Sequence, residues 1–196
     1  MPFEADIRDC HGKKRKNAYD DAAYPKATDL TEDERAEYEL RYGHRILKSW
    51  VLSATLHDVK VDSEELQVAD TPLGFGFHVV GTSTVVFNNL RVSDNDVASR
   101  FFKEVVSDFL KKVPEDLKNT GGLKAFEAVS VSVVGSSKSF ADEYAIGIPF
   151  TITYTFNLSD IESFASDKID AQQLLDRGQV KDSRTGRVKV LLTSAH

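Results

Sequence analysis

Tyr144-Ala145-Ile146-Gly147-Ile148-Pro149-Phe150-Thr151-Ile152-Thr153-Tyr154-Thr155-Phe156 is the most regular stretch of this chain. Every even position is apolar, and Thr151, Thr153 and Thr155 occupy odd ones. A period of two marks a β-strand with one buried face, and aromatic and β-branched side chains are those that fit a pleated surface. At about 3.4 Å per residue the run would extend about 40 Å. Pro149 has no N–H for a ladder, which predicts that the strand is a sheet edge over part of its length, or bulged at that point. Unprotected edges pair with other chains. Pro149, Thr151, Thr153 and Thr155 are therefore candidate partner-contact residues.

Working back along the chain, Val129, Val131 and Val133 face one way and Ser130 and Ser132 the other, a second strand that follows the Gly121-Gly122 turn. Before that turn, Val97, Phe101, Phe102, Val105, Val106, Phe109, Leu110 and Val113 recur at three- and four-residue steps. This spacing predicts an amphipathic helix over 95–113, opened by Ser93 and Asp94 and stopped by Pro114, lying across a sheet. Upstream, Phe75, Phe77 and Val79 alternate after the Thr71-Pro72-Leu73-Gly74 turn, a further turn is expected near Gly81, and Val85, Val86 and Phe87 follow. Trp50, Leu52, Ala54 and Leu56 read as a strand face, with His57-Asp58 at a break before Val59 and Val61. Downstream, a helical region over 159–176 ends at Gly178, and a hairpin over 179–193 turns at Ser183-Arg184-Thr185-Gly186. The fold class expected is α+β: a mainly antiparallel twisted sheet packed by one long amphipathic helix, with an N-terminal arm and helix and a C-terminal β-hairpin.

Composition shifts once. All the valines lie beyond position 50, and only one of the 12 phenylalanines precedes Phe75. Residues 1–30 are poor in apolar side chains, too poor to offset the entropy of ordering them alone. Thr31 with Glu34 forms a capping-box pattern and predicts a helix over 31–48. The organisation expected is an extended arm (1–30), a helix (31–48) and an α+β core (49–196). Within the arm, Lys13, Lys14, Arg15 and Lys16 form a basic run, either solvated or clamped on an acidic partner surface or a phosphate backbone, the last disfavoured by Asp20 and Asp21 nearby.

The chain has 196 residues, enough for one ordinary domain with an appendage or two very small domains. Its 25 basic and 31 acidic residues leave a net charge of −6, so attraction to nucleic acid or anionic lipid by the whole molecule is not expected. One Cys excludes an internal disulfide and a Cys-based zinc site. No run approaches the roughly 18 apolar residues of a membrane span, and the start lacks the apolar core of a signal peptide. These features predict cytoplasmic synthesis without a membrane partner.

Chemistry-bearing patterns are sparse. Cys10 and His11 sit in the apolar-poor arm, and the histidines show neither i, i+4 pairing nor an HExxH motif. Asp94 and Asp96 are explained as helix N-terminal charges. Gly74-Phe75-Gly76-Phe77 precedes a strand and lacks the third glycine of a dinucleotide fingerprint. His57-Asp58 is the remaining acid-base candidate. No catalytic residue, metal ligand or cofactor is assigned, and the chain is expected not to be an enzyme.

The succession of a helix, strands, a strand ending at Val92, the helix 95–113, the strand 124–134 and the alternating strand with Ile152-Thr153-Tyr154 resembles the order of elements in bacteriophage tail terminator and tail completion proteins. The likeness spans residues 31–157, while the basic arm and the 179–193 hairpin depart from it. It implies a non-enzymatic α+β subunit of a virion tail or neck that contacts other protein subunits in a homo-oligomer or hetero-assembly. It assigns no individual residues. The alternative from organisation alone is a ligand-binding α+β domain with an apolar pocket between the sheet and the Phe-rich helix.

Overall fold

The computed structural model describes residues 25–61, 66–88, 91–139, 144 and 146–192. The basic run Lys13, Lys14, Arg15 and Lys16 lies outside the described residues, as do Cys10 and His11. Thr31 caps the first helix, α1 (Glu32–Thr55), through a reciprocal box: the Glu34 N–H donates to Thr31 Oγ1 at 3.3 Å and the Thr31 N–H to Glu34 Oε2 at 2.9 Å. The helix does not stop at Lys48. It runs through the stretch expected to be a strand, because Ile46, Trp50 and Ala54 recur at four-residue steps and are all buried. Leu52 and Leu56, which a strand would have placed beside Trp50, lie on the exposed face of α1. Packing also crosses the division expected at residue 49, since Ala27, Tyr42 and Ile46 belong to the same core as Trp50.

His57 and Asp58 form the tight exit from α1, with Asp58 at φ 58° and its carbonyl accepting from the Thr84 N–H at 2.9 Å. The chain then forms β1 (Val59–Val61), β2 (Gln67–Thr71) and β3 (Gly74–Asn88). No turn occurs at Gly81: β3 continues through it, and its pairing register shifts between Thr82 and Val86. Gly81 is there because a Cβ would stand 2.9 Å from the Trp50 ring. β4 (Ala128–Lys138), β5 (Ile148–Asn157), β6 (Gln179–Asp182) and β7 (Gly186–Arg187) complete, among the described residues, one seven-stranded sheet. β1 and β2 share the outer side of β3, followed in space by β4, β5, β6 and β7. All pairs are antiparallel except β3–β4. The fold is α+β with a mostly antiparallel sheet.

Between β3 and β4 the chain forms α2 (Asp94–Phe101), a π-helical segment (Phe102–Val106) and α3 (Ser107–Asn119) without interruption. The π segment answers a feature of the sequence. Buried pairs at 97/98, 101/102, 105/106 and 109/110 repeat every four residues, whereas an α-helix drifts by about 40° over such a step. Unwinding to a wider turn, in which the Ser107 N–H reaches back five residues to the Phe102 carbonyl, keeps the stripe on the sheet. Pro114 does not stop the helix. It lies inside α3, and Leu117, fully buried one turn later, continues the stripe; tertiary packing outweighs the lost backbone hydrogen bond.

Three rows of side chains across β3, β4 and β5 meet these helices: Phe77, Val129 and Phe156; Val79, Val131 and Tyr154; Gly81, Val133 and Ile152. Phe102 lies between Tyr154 and Phe156, with ring centroids 6.0 and 6.1 Å away, and Phe109 meets Trp50 edge-on at 5.2 Å. The Tyr154 hydroxyl donates to the Ala98 carbonyl at 2.6 Å, so its one polar atom is satisfied in the core. The expected helical region over 159–176 forms two helices, α4 (Leu158–Ala165) and α5 (Ala171–Arg177), and the C-terminal hairpin is formed by β6 and β7.

Candidate functional site

The alternating row of β5 is buried only along part of its length. Phe150, Ile152, Tyr154 and Phe156 lie in the core, whereas Ile148 is 59% and Ile146 86% exposed, and Tyr144 beyond them is also exposed. The strand itself begins at Ile148, so the regular pattern outruns the ladder. The break follows from where the next strand ends. β6 pairs with β5 from Ile152 to Thr155, and Ser183 then takes over the Thr151 main chain. The Thr151 N–H donates to Ser183 Oγ and the Ser183 N–H to the Thr151 carbonyl, each at 2.9 Å. Arg184 lies over the Phe150 ring at 4.0 Å and closes the core at this end.

Pro149 sits where the β5 edge is first uncovered. Main-chain groups of Thr151 point toward β6, and strand alternation directs those of Pro149 the same way. The missing N–H thus removes the first outward donor of the open edge, which blunts it against strand addition. Pairing with β4 is retained, with Pro149 opposite Ser136. Contact at this end would be carried by the apolar side chains rather than by main-chain hydrogen bonds.

The other candidates on β5 have partners within the chain. Thr153 and Thr155 pair with Lys181 and Gln179 of β6, so the available edge is shorter than the sequence suggests. Their hydroxyls join a ladder on the sheet surface opposite the core rows: Thr155 Oγ1 with Ser130 Oγ at 2.8 Å and Thr153 Oγ1 with Ser132 Oγ at 2.7 Å. Ser132 Oγ also meets His78 Nε2 at 2.8 Å. Burial lowers the His78 pKa from its ordinary value, favouring the neutral imidazole. A serine beside a neutral histidine is the starting geometry of nucleophilic catalysis. Ser132, however, lies in mid-strand, paired with Val80 on one side and Thr153 on the other, so the neighbouring amides are committed to the sheet and not to a developing oxyanion. Alternating Ser in β4 and Thr in β5 was the sequence signal for this ladder; His78 could be added only once β3 was known to lie beside β4.

Elsewhere, a cleft of about 360 Å³ between α5 and the C-terminal hairpin is lined by Leu175, Asp176, Val180, Arg187, Lys189 and Val190, among others. Among the described residues, no group of three or more His, Cys, Asp or Glu side chains could hold a metal ion. No helix among them is long and apolar enough to cross a membrane. No family model matches the chain, and no curated protein matches it.

Proposed function

We propose that this chain is a non-enzymatic structural subunit of a larger protein assembly, of the virion tail or neck kind implied by the resemblance in element order. Its contact surfaces are the N-terminal segment 1–30 and the exposed end of β5. The observation that carries this reading is the apolar row at Ile146 and Ile148, a direct continuation of the core row that lies outside the core. Exposed apolar surface joined to a strand end is a feature of contact sites, and burying it against another subunit removes it from water.

The ligand-binding alternative draws no support from the packing, because the space between the sheet and the Phe-rich helix is filled by Trp50, Phe102, Phe109, Tyr154 and Phe156. Native mass spectrometry of the full chain tests the proposal. A defined species of several subunits is expected. A monomer retaining a small apolar adduct would support the pocket instead and overturn the assembly reading.

A further inference from the structure

Beyond β7 the main chain leaves the sheet and is held by two side-chain amides. The Val188 N–H still donates to the Val180 carbonyl at 2.9 Å. Past it, the Leu191 N–H donates to Asn95 Oδ1 at 2.8 Å, and Asn95 Nδ2 donates to the Leu191 carbonyl at 3.3 Å. On the other edge, Gln172 Nε2 donates to the Val190 carbonyl at 3.0 Å, and the Leu192 N–H donates to Gln172 Oε1 at 2.8 Å. In an extended chain the N–H and C=O of one residue point to one edge, and the flanking C=O and N–H point to the other. Asn95 of α2 and Gln172 of α5 therefore each take the place of a neighbouring strand. The side chains alternate to match: Val190 is buried and Val188 and Leu192 pack against the core, whereas Lys189 and Leu191 are exposed.

We infer that the groove between Asn95 and Gln172 is a docking site for an extended segment of a partner protein with apolar side chains at alternate positions, and that residues 188–192 are its resident occupant, which such a segment displaces. This rests on the assembly reading above and adds a site and the chemistry of the partner. The resident segment shows what the groove accepts. All four clamp bonds go to main-chain atoms, so Asn95 and Gln172 read an extended backbone and leave selectivity to the alternate side chains, as in other strand-docking sites. There the fit is incomplete: the cleft of about 360 Å³ beside α5 is lined by Leu175 and Val180 and by Val188 and Val190 of the segment itself. A partner segment with Ile in place of Val188 and Val190 fills space that the resident leaves open, and gains the contacts that the two valines do not make. A segment with Pro in place of Leu191 is excluded, because Asn95 Oδ1 would lose its donor.

Leu191→Pro in the full chain tests the site by unseating the resident: it removes the N–H that Asn95 accepts, at a position that is 53% exposed and outside the core. Circular dichroism and the fluorescence of Trp50 check the rest of the fold. Hydrogen exchange of segment 188–192, read by mass spectrometry, should then be roughly tenfold or more faster than in wild type. The probe is a fluorescein-labelled peptide of residues 186–192 carrying Val188→Ile and Val190→Ile. By fluorescence polarisation it should bind the Leu191→Pro chain roughly tenfold or more tightly than wild type, whose tethered resident competes at high effective concentration. Adding Asn95→Ala and Gln172→Ala to the chain, or Leu191→Pro to the peptide, should remove the binding. An unseated segment without peptide binding overturns the docking site and leaves the assembly reading standing, and unchanged exchange in Leu191→Pro overturns the clamp. Should that variant lose its fold, wild type with excess peptide decides: exchange over 188–192 should rise as the resident is displaced, and an unchanged rate overturns the inference. A monomer in native mass spectrometry removes the assembly reading and leaves the peptide result intact.

Discussion

Arg184 holds Asp182 by both carboxylate oxygens, Nε to Oδ1 at 3.0 Å and Nη2 to Oδ2 at 2.6 Å, while the same Nη2 reaches Asp94 Oδ1 at 2.7 Å. Asp182 is fully buried opposite Ile152, on the core side of the sheet. Burial alone would raise the Asp182 pKa, but the hydrogen bonds and charge of Arg184 outweigh it and hold the carboxyl below its ordinary value. The pair joins the terminal hairpin to the first turn of α2.

Replacing Arg184 by Ala leaves the buried Asp182 carboxylate without its guanidinium partner and is expected to cost about 2–4 kcal/mol. Because the folded pKa of Asp182 is depressed, its contribution is present above the unfolded value of 3.8 and disappears as pH falls through the folded one. In Arg184→Ala the backbone N–H of residue 184 still donates to Asp182 Oδ1, but the hydrogen bonds and charge of the guanidinium are lost, so the folded pKa rises and acid unfolding should begin at higher pH. Urea midpoints measured between about pH 3 and pH 7 check both effects; an unchanged acid limb contradicts the assignment.

His78 acts with the same sign at a higher pH. Burial keeps its folded pKa below 6.5, so the unfolded chain takes up a proton first as pH drops. Stability should fall as pH passes downward through 6.5 and level off below the folded value. His78→Gln, which keeps a donor near Ser132, should remove this slope. The His78 imidazole titration followed by NMR supplies the folded pKa directly.

Gly81→Ala is expected to destabilise by about 1–3 kcal/mol through overpacking. The added methyl would stand 2.7 Å from Val59 Cγ1 and 2.9 Å from the Trp50 ring, and Trp50 is fixed by its own Nε1–H donation to the Val80 carbonyl at 3.0 Å. The chain contains one Trp, so its fluorescence reports this contact without interference. A displaced emission maximum with a lower urea midpoint is the expected pair of results.

The anchoring of the N-terminal segment can be located by truncation. The Ala27 N–H donates to Asp70 Oδ1 at 2.7 Å, Arg35 Nη2 donates to the Ala27 carbonyl at 2.7 Å, and the Ala27 side chain is buried. Deleting residues 2–30 should lower stability by about 1–3 kcal/mol, since Asp70 and Arg35 lose their hydrogen-bond partners and the buried Ala27 methyl is removed from the core. Deleting residues 2–24 should leave the thermal midpoint near that of the full chain. Equal midpoints for the two truncations would contradict this anchoring role.

Sequence reasoning reached furthest where side-chain period and local capping agree. The β4 and β5 alternation, the Thr31–Glu34 box and the Ser93 start were legible, and the Ser93 and Asp96 side chains do cap α2, at 3.2 Å from the Asp96 N–H to Ser93 Oγ. Trp50, Leu52, Ala54 and Leu56 satisfied a strand pattern and were misread, because Ile46–Trp50–Ala54 satisfies a helical one across the same residues. Pro114 and Gly81 were read as local breakers, but the packing of Leu117 and Trp50 decided those positions. For the candidate site, the apolar row and the importance of Pro149 could be read from sequence. The point where the row leaves the core could not, since it depends on the end of β6, a strand distant in sequence from Ile148.

The parallel β3–β4 seam also bears on how the molecule reaches its fold. β2–β3 and β4–β5 are hairpins that form locally, whereas β3 and β4 can meet only after the intervening segment 89–127 has closed into a loop. Closing that loop is expected to set a late kinetic barrier, lower when α2 and α3 have already formed a compact bridge. Val131→Ala, at the centre of the seam, is therefore expected to slow refolding, while Val180→Ala in β6 should act mainly by speeding unfolding. The helix that supplies much of the core would then also serve as the strut that brings two preformed halves of the sheet together.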